Sequence, residues 1–210
     1  MPFVTVRSQP VFGLPRAPVT PVGPYTDEFN SPSLASKWTK VGALDKYNTS
    51  DTPGTLHLYD ANIGYAIAGI LETVPPFPFT VETKLSAYTL NNNFVSAGIW
   101  MFDGTQYLSY GWLYGGYGGS LNDIYWQTWS SLTVRATNNN ADIVASAAPI
   151  GYRIVATNAT TWVFSYFSAG AWTEQSTSAP SFTPKQVGLY IAGQTAGGLA
   201  DANFDYSRFS

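Results

Sequence analysis

Residues 79–87 read Phe-Thr-Val-Glu-Thr-Lys-Leu-Ser-Ala, with apolar side chains at positions 79, 81, 85 and 87 and polar side chains between them. Successive side chains of a β-strand point to opposite faces of its sheet, so this alternation predicts a strand with one buried face. The same pattern returns near the C-terminus, where residues 201–207 read Asp-Ala-Asn-Phe-Asp-Tyr-Ser. A strand-based fold is therefore expected.

Further strand-like runs lie between and before these two stretches, and clusters of Gly, Asn and Pro separate them. No run carries the 3.6-residue apolar stripe of a helix. Regularly spaced strands of this kind predict an all-β sandwich or barrel. The runs cover residues 55–59, 65–71, 94–102, 106–114, 150–157, 161–167 and 186–192.

The composition narrows the class of protein. The chain has 210 residues, 45% of them hydrophobic, which suits one domain with an ample core. It has no cysteine, so disulfides and thiolate metal sites are excluded. Only 11% of the residues are charged, and the ten Lys and Arg residues are scattered. A nucleic-acid partner is therefore not expected, because binding the phosphate backbone needs clustered basic residues.

The first 24 residues differ from the rest. They hold six of the 14 prolines and two arginines without an acid, whereas the remainder carries eight bases and 13 acids. Proline fixes φ and removes a hydrogen-bond donor, so residues 1–24 are expected to form an extended arm ahead of a sandwich over residues 25–210. The arm is expected to anchor the protein to other proteins of a larger assembly or to copies of itself, through Phe3, Arg7, Phe12 and Arg16. Neither a signal peptide nor a membrane-spanning run is apparent, so export by that route and membrane insertion are not expected.

Three stretches resemble the concanavalin-A-like lectin and glucanase family. Residues 25–38 read Tyr-Thr-Asp-Glu-Phe-Asn-Ser-Pro-Ser-Leu-Ala-Ser-Lys-Trp and are similar to the start of such domains, including those appended to bacterial glycoside hydrolases. Residues 152–154 and 161–172 are similar to the hairpin of that family, and residues 187–193 and 202–206 to its closing strands. The resemblance implies a two-sheet antiparallel jelly-roll sandwich.

The resemblance also implies how the two ends of the sandwich meet. In this fold the first and last strands lie close together, so Phe29 and Trp38 are expected in the core beside Phe204 and Tyr206. Asp27 and Asp205 then lie near one end, where related domains often place a structural calcium. Asp201, Asn203 and Asp205 carry oxygen ligands at period-two spacing, which suit a hard cation. The alternative is an ordinary polar face of an edge strand, and no other cofactor is expected.

The acids and the single histidine argue against catalysis. Glycoside hydrolysis needs two carboxyl groups roughly 5–10 Å apart. Hydrolases of the resembled fold carry them in a Glu-x-Asp-x-x-Glu strand motif, which is absent. The sequence has four glutamates, each separated from the others: Glu28, Glu72, Glu82 and Glu174. His57 stands alone between two leucines and is interpreted as a packed or surface-polar residue. The chain is therefore predicted not to be an enzyme.

Aromatic residues concentrate between residues 94 and 129. Because residues of opposite parity point to opposite sides of a sheet, these rings cannot all lie in one core layer. Tyr110, Trp112 and Tyr114 share one parity and could form an outward ladder for sugar rings, which stack on aromatic faces. Packing between the sheets or in an oligomer interface explains the rings equally well. The candidate carbohydrate-binding residues are Trp100, Tyr107, Tyr110, Trp112, Tyr114, Tyr117, Trp126 and Trp129.

Together these features predict a non-catalytic, oligomeric structural or adhesion protein of a bacteriophage. It would decorate a capsid or belong to a tail or fibre on a virion surface, where the arm would attach it to other virion proteins or to copies of itself. The sandwich would then be displayed towards host-surface glycans. Phages leave cells by lysis, so a surface protein of this kind needs no signal peptide. The alternative is a carbohydrate-binding accessory module or a glycan-active enzyme of a bacterial protein.

Overall fold

The computed structural model describes residues 24–90, 94–114, 123–144, 150–175, 182–194 and 196–210. These ranges contain strands and turns and no helix. Nothing in them is therefore a helix of the length and apolarity that crossing a membrane requires. The predicted arm, with Phe3, Arg7, Phe12 and Arg16, falls almost entirely outside the described residues.

Fourteen strands follow one another along the described chain. They are β1 (Thr39–Val41), β2 (Lys46–Asn48), β3 (Leu56–Asp60), β4 (Tyr65–Thr73), β5 (Phe79–Leu90), β6 (Val95–Phe102), β7 (Tyr107–Tyr114), β8 (Asp123–Ser131), β9 (Val134–Val144), β10 (Gly151–Asn158), β11 (Thr161–Ser168), β12 (Ala171–Gln175), β13 (Gln186–Gln194) and β14 (Ala200–Phe209).

The strands form two sheets of seven strands each, in the orders β1-β4-β13-β6-β7-β8-β9 and β12-β11-β10-β5-β14-β3-β2. We call them the curled sheet and the second sheet. Neighbouring strands pair antiparallel in both. The predicted fold class, a two-sheet antiparallel jelly-roll sandwich, is confirmed.

Strand β5 shows how the sequence pattern becomes structure. Its side chains at positions 79, 81, 83 and 85 are buried, and those at 80, 82 and 84 are partly exposed. The central strands β6 and β13 differ, because nearly all their side chains are buried whatever their parity. Strands of this kind have both faces covered. The centre of the curled sheet is therefore shielded from water on both sides.

The main core fills the space between the two sheets. Phe29, Trp38 and Phe204 lie in it, as the family resemblance implies. The beginning and end of the sandwich also meet as expected, because Asp27 and Ser207 form an antiparallel bridge. Arg208 donates to both carboxylate oxygens of Glu28 at 2.6 and 2.8 Å. This pairing joins the beginning of the sandwich to its last strand.

The expected place of Tyr206 in that core is wrong. The register of β14 against β5 shifts between Phe204 and Tyr206. Such a bulge inserts one residue and reverses the faces of the residues that follow. The Tyr206 hydroxyl consequently donates to Glu82 at 2.8 Å, on the other side of the sheet, and Phe209 joins the core instead.

Glycines allow the central strands of the curled sheet to pack closely. A Cβ atom on Gly188 would lie 1.9 Å from the Ile70 carbonyl oxygen, and one on Gly98 would lie 2.2 Å from that of Tyr110. Both contacts are with backbone, which cannot rotate away. These positions therefore require glycine.

We expect Gly188→Ala to lower the free energy of unfolding by about 1–3 kcal/mol, because the strands must separate to admit the methyl group. The matched control is Gly151→Ala, whose Cβ would lie 3.0 Å from Lys84 Cγ, 3.1 Å from Phe167 Cβ and 3.2 Å from the Thr83 carbonyl oxygen, all much farther away than the backbone oxygen that meets the Cβ at Gly188. Urea unfolding measures both. Equal stability of the two variants would contradict the close approach.

Candidate functional site

The concave face of the curled sheet is the face turned away from the second sheet. Two rows of directly paired residues cross its centre. One row runs Tyr190, Gly98, Gly111, Tyr125, and the next runs Gly188, Trp100, Ser109, Gln127. Rings, glycines and neutral hydrogen-bonding side chains thus alternate across this face.

Hydrogen bonds across the face show how strongly the sheet curls. Gln194 on β13 donates from Nε2 to Gln127 Oε1 on β8 at 3.1 Å, although β6 and β7 lie between these strands. In a flat sheet three strand spacings of about 4.8 Å would hold the two strands roughly 14 Å apart. The sheet therefore folds over its own concave face.

The β8–β9 hairpin closes the curl. Its tip crosses to the far side of the sheet, where the Ile67 amide of β4 donates to the Leu132 carbonyl at 2.8 Å. The register of β8 against β9 shifts between Thr128 and Trp129 and again between Trp129 and Ser131. Bulges bend a hairpin and increase its twist, so these shifts carry the tip over the concave face. Leu132 packs there against a small apolar cluster.

Aromatic rings fill the space beneath the hairpin. Tyr107 stacks on Trp100 and Phe102, with ring centroids 5.3 and 4.5 Å away. The Trp100 indole donates to the Ile70 carbonyl at 2.9 Å, and the Trp129 indole donates to the Ser109 hydroxyl at 3.0 Å. Both tryptophans are buried, whereas Tyr107 is only half-buried.

Polar side chains lie beside these rings. Gln194 Nε2 also faces the Tyr125 hydroxyl at 3.3 Å, and Gln194 Oε1 accepts a hydrogen bond from the Arg135 guanidinium. Burial raises the pKa of Tyr190 to about 12, and the nearby hydroxyls of Ser96 and Ser109 oppose this shift. Neither the Tyr190 nor the Ser96 hydroxyl has a well-formed hydrogen bond in the described structure. The concave face therefore contains buried hydroxyl groups that could form hydrogen bonds with a polar ligand.

The sequence-predicted aromatic residues fall into three groups. Tyr110, Trp112 and Trp126 lie in the core between the sheets, so the outward ladder expected for Tyr110 and Trp112 is wrong. Trp100, Tyr107 and Trp129 lie on the concave face. Tyr117 and the side chain of Tyr114 lie outside the described part of the chain. As the parity of their positions predicts, the rings divide between two faces of the sheet. The β8–β9 hairpin, however, covers the concave face as well.

Other residues of this face were not predicted. Tyr125, Gln127, Tyr190 and Gln194 are buried polar groups on otherwise apolar strands. An isolated Gln within a strand is a weak signal in a sequence. The contact between Gln194 and Gln127 joins residues 67 positions apart, which no local pattern indicates.

The four glutamates lie away from the concave face. Glu28 pairs with Arg208, Glu82 lies 3.8 Å from Arg153, and Glu174 is exposed on the edge strand β12. Lys84, two residues further along the same strand, lies over the Phe167 ring at 3.9 Å. Within the described ranges no two glutamates share an ion-pair partner.

Glu72 is the buried member of the four. Its side chain is 3% exposed and lies 3.2 Å from the Lys37 ammonium, which also donates to the Tyr25 carbonyl at 2.6 Å. Burial raises the pKa of Glu72 to about 7, and Lys37 opposes the shift only in part. The negative charge of Asp27 raises this pKa further. This pair lies at the end of the sandwich where the arm would join.

The candidate calcium ligands are placed differently from each other. One oxygen of Asp27 accepts from the Phe29 amide and the other from the Trp38 indole, both at 2.8 Å. Asp205 is partly exposed on β14. The described residues contain no group of three or more His, Cys, Asp or Glu side chains suited to a metal ion. Calcium binding at Asp27 and Asp205 stays a prediction.

His57 is packed, as predicted, and it has two charged neighbours. Its ring nitrogens lie 3.0 Å from carboxylate oxygens of Asp51 and Asp201. The hydrogen bond from His57 is the main cause that lowers the pKa of Asp51. Carboxylates only accept hydrogen bonds, so the ring satisfies both when it carries both protons. The contact ties the loop after β2 to β14.

Comparison with known proteins supports the fold. No protein-family model matches the chain, and no curated protein matches it. Among solved structures the chain is similar to the GH43 BlXynB protein from Bacillus licheniformis, with 19% identity, a TM-score of 0.68, and coverage of 91% of this chain and 40% of that one. A xylan β-1,4-xylosidase from Bacillus halodurans gives 16% identity, a TM-score of 0.67 and coverage of 93% and 41%.

A third likeness extends over a whole enzyme chain. The chain is similar to a β-1,3-glucanase from Mycobacterium marinum, with 16% identity, a TM-score of 0.55, and coverage of 90% of this chain and 99% of that one. In contrast, the chain spans only about two fifths of the length of the two Bacillus proteins. At these identities the likeness establishes the fold.

These likenesses contradict the prediction that the protein is not an enzyme. The β-sandwich recurs in glycoside hydrolases, including a GH43 protein, a xylan β-1,4-xylosidase and a β-1,3-glucanase. The absent Glu-x-Asp-x-x-Glu motif belongs to one group of hydrolases, and catalytic groups differ among proteins that share a fold. The fold is thus one that glycoside hydrolases use, and none of these three structures is described as a phage protein.

Glu72 gives the stability of the protein a predictable pH dependence. Its pKa is about 7 in the folded chain against an ordinary value of 4.5, so between these values the folded state binds more protons than the unfolded state. The contribution of Glu72 to the free energy of unfolding then falls as the pH rises from 4.5 to 7, by up to roughly 3 kcal/mol at about 1.4 kcal/mol per pKa unit. We expect Glu72→Gln to reduce this fall, as measured by urea unfolding at pH 5, 6, 7 and 8. Exposed Glu174→Gln is the control, and an unchanged slope in Glu72→Gln would refute the assignment.

Proposed function

We propose that the chain is the glycan-contacting β-sandwich of a carbohydrate-active enzyme, and that the concave face of the curled sheet contacts the glycan. The observation that carries the proposal is the lining of this face. It brings the rings of Trp100, Tyr107 and Trp129 together with the amides of Gln127 and Gln194.

This lining suits sugars for a chemical reason. A pyranose ring presents apolar C–H groups on its faces and hydroxyls around its edge. Aromatic rings stack on the faces, and amides and hydroxyls exchange hydrogen bonds with the edge. Among the side chains described on these strands the concave face combines both kinds of group. The core face of the same sheet carries Tyr110, Trp112 and Trp126 within a largely apolar packing.

The likeness to glycoside hydrolases supports the same reading. Its higher TM-scores come from matches to about two fifths of longer chains, a GH43 protein and a xylan β-1,4-xylosidase. Hydrolysis needs two carboxyl groups across the substrate. The described glutamates are each bound elsewhere or exposed, so we place the contribution of the concave face in holding the glycan. Display on a virion and anchoring through the arm stay predictions.

The first experiment combines binding and cleavage. Soluble xylan and soluble β-1,3-glucan are titrated by calorimetry, and reducing ends are measured after prolonged incubation. We expect one polymer to bind, and Tyr107→Ala to weaken that binding about tenfold, which corresponds to about 1.4 kcal/mol, because Tyr107 is a half-buried ring of the concave face with a hydroxyl group.

The matched control is Tyr47→Ala, which removes a tyrosine that is 41% exposed on the second sheet. It should bind as the unmodified protein does. Absence of both binding and cleavage with every polymer of a broader panel would refute the proposal. An equal loss of affinity in the two variants would show that the glycan does not bind on the concave face.

A glycan can reach Trp100 and Trp129 only if the hairpin lifts. We expect the Ile67 amide, which donates to Leu132, to exchange with solvent deuterium at least tenfold faster than the Leu189 amide of β13, after correction for intrinsic rates. Exchange followed by nuclear magnetic resonance measures both. Equal protection would mean that the hairpin opens only when the whole chain unfolds.

A further inference from the structure

The charge on the concave face is distinctive. Of the side chains that the structure describes on the concave face of these strands, that of Arg135 carries a charge, and the others are aromatic, aliphatic, amide or hydroxyl groups. Arg135 follows directly on the hairpin tip and pairs across the ladder with Trp129. It is exposed, so its guanidinium can reach a ligand at the rim.

Arg135 is also part of the closure. Its guanidinium donates to Gln194 Oε1, on a strand that lies on the opposite side of the concave face. The charge of Arg135 lowers the pKa of Tyr125, whereas burial raises it more strongly. In the described part of the chain the hairpin is thus held by the backbone hydrogen bond at Ile67, by the packing of Leu132, and by the hydrogen bonds of Gln194 with Arg135 and with side chains of β8.

A neutral amide oxygen is a weaker partner for arginine than a carboxylate. A carboxylate can accept two parallel hydrogen bonds from a guanidinium, and ionised pairs are roughly twice as strong as neutral ones. A ligand shifts a conformational equilibrium only through a difference in its affinity for the two states. A carboxylate-bearing ligand that replaces Gln194 at Arg135 provides such a difference.

We propose that the glycan is acidic, and that a uronate carboxylate takes Arg135 from Gln194 and so favours the open hairpin. This inference rests on the proposed function and names the substrate class of the same face. Gln194, once released, has its carbonyl oxygen free for a sugar hydroxyl. Arg135 is then a specificity-determining residue, and a neutral glycan of the same backbone binds without its help.

The test uses glucuronoxylan and the same polymer after reduction of its carboxyl groups. We expect the protein to bind the acidic polymer at least tenfold more tightly, and expect this preference to shrink as salt is raised. Arg135→Gln should abolish the preference while leaving the affinity for the reduced polymer equal or higher. Lys46→Gln, which removes the same charge from the second sheet, should keep the preference.

A second readout follows the hairpin itself. The acidic polymer should accelerate exchange of the Ile67 amide in the unmodified protein and not in Arg135→Gln. Equal affinity for the two polymers, a preference that survives Arg135→Gln, or a preference that Lys46→Gln also removes would overturn the inference alone. Binding of neither polymer, nor of any other glycan, would overturn the proposed function as well.

Discussion

The central strands of the curled sheet carry large side chains on both faces, and both faces have to be kept from water. On β6, Ile99 faces the second sheet and Trp100 faces the concave side, and both are buried. Burying such a side chain contributes about 1.5–3 kcal/mol. One face is covered by the second sheet, so the other must be covered by the curled sheet itself. The strong curl and the crossing of the β8–β9 hairpin follow from this requirement.

This closure gives the concave face two properties at once. It encloses rings in a water-poor space, and it encloses hydroxyls that lack a good partner, at Tyr190 and Ser96. A buried polar group without a hydrogen bond costs about 1–3 kcal/mol. A few contacts close the hairpin, whereas the interface between the sheets is extensive, so the concave side is the one suited to opening.

Several elements could be predicted from the sequence because their causes are local. The alternation over residues 79–85 predicts β5, and the buried and partly exposed positions follow it. The number of aromatic residues between 94 and 129 requires that rings lie on both faces of a sheet, and they do. The pairing of Asp27 with Ser207 agrees with the resemblance of the chain ends to one fold.

Other features have causes that no short window contains. A bulge in β14 reverses the face of Tyr206, and the alternation before it gives no sign of the change. His57 appears isolated, yet Asp51 and Asp201 flank it, the second from 144 positions away. The scarcity of acids in recognisable motifs suggested a non-catalytic chain, but the architecture is one that glycoside hydrolases share. A count of residues does not establish the chemistry of a fold.

The sequence by itself determined that this chain forms strands, that it has no disulfide, and that its rings must divide between two faces. Those properties depend on residue types and on a repeat of two residues. Only the tertiary structure decided that both faces are buried, that Ile67 meets Leu132, and that Gln194 reaches Gln127 and Arg135. The physical reason is that curl accumulates from the twist and bulges of seven paired strands, so it brings together residues whose separation along the chain carries no local signal.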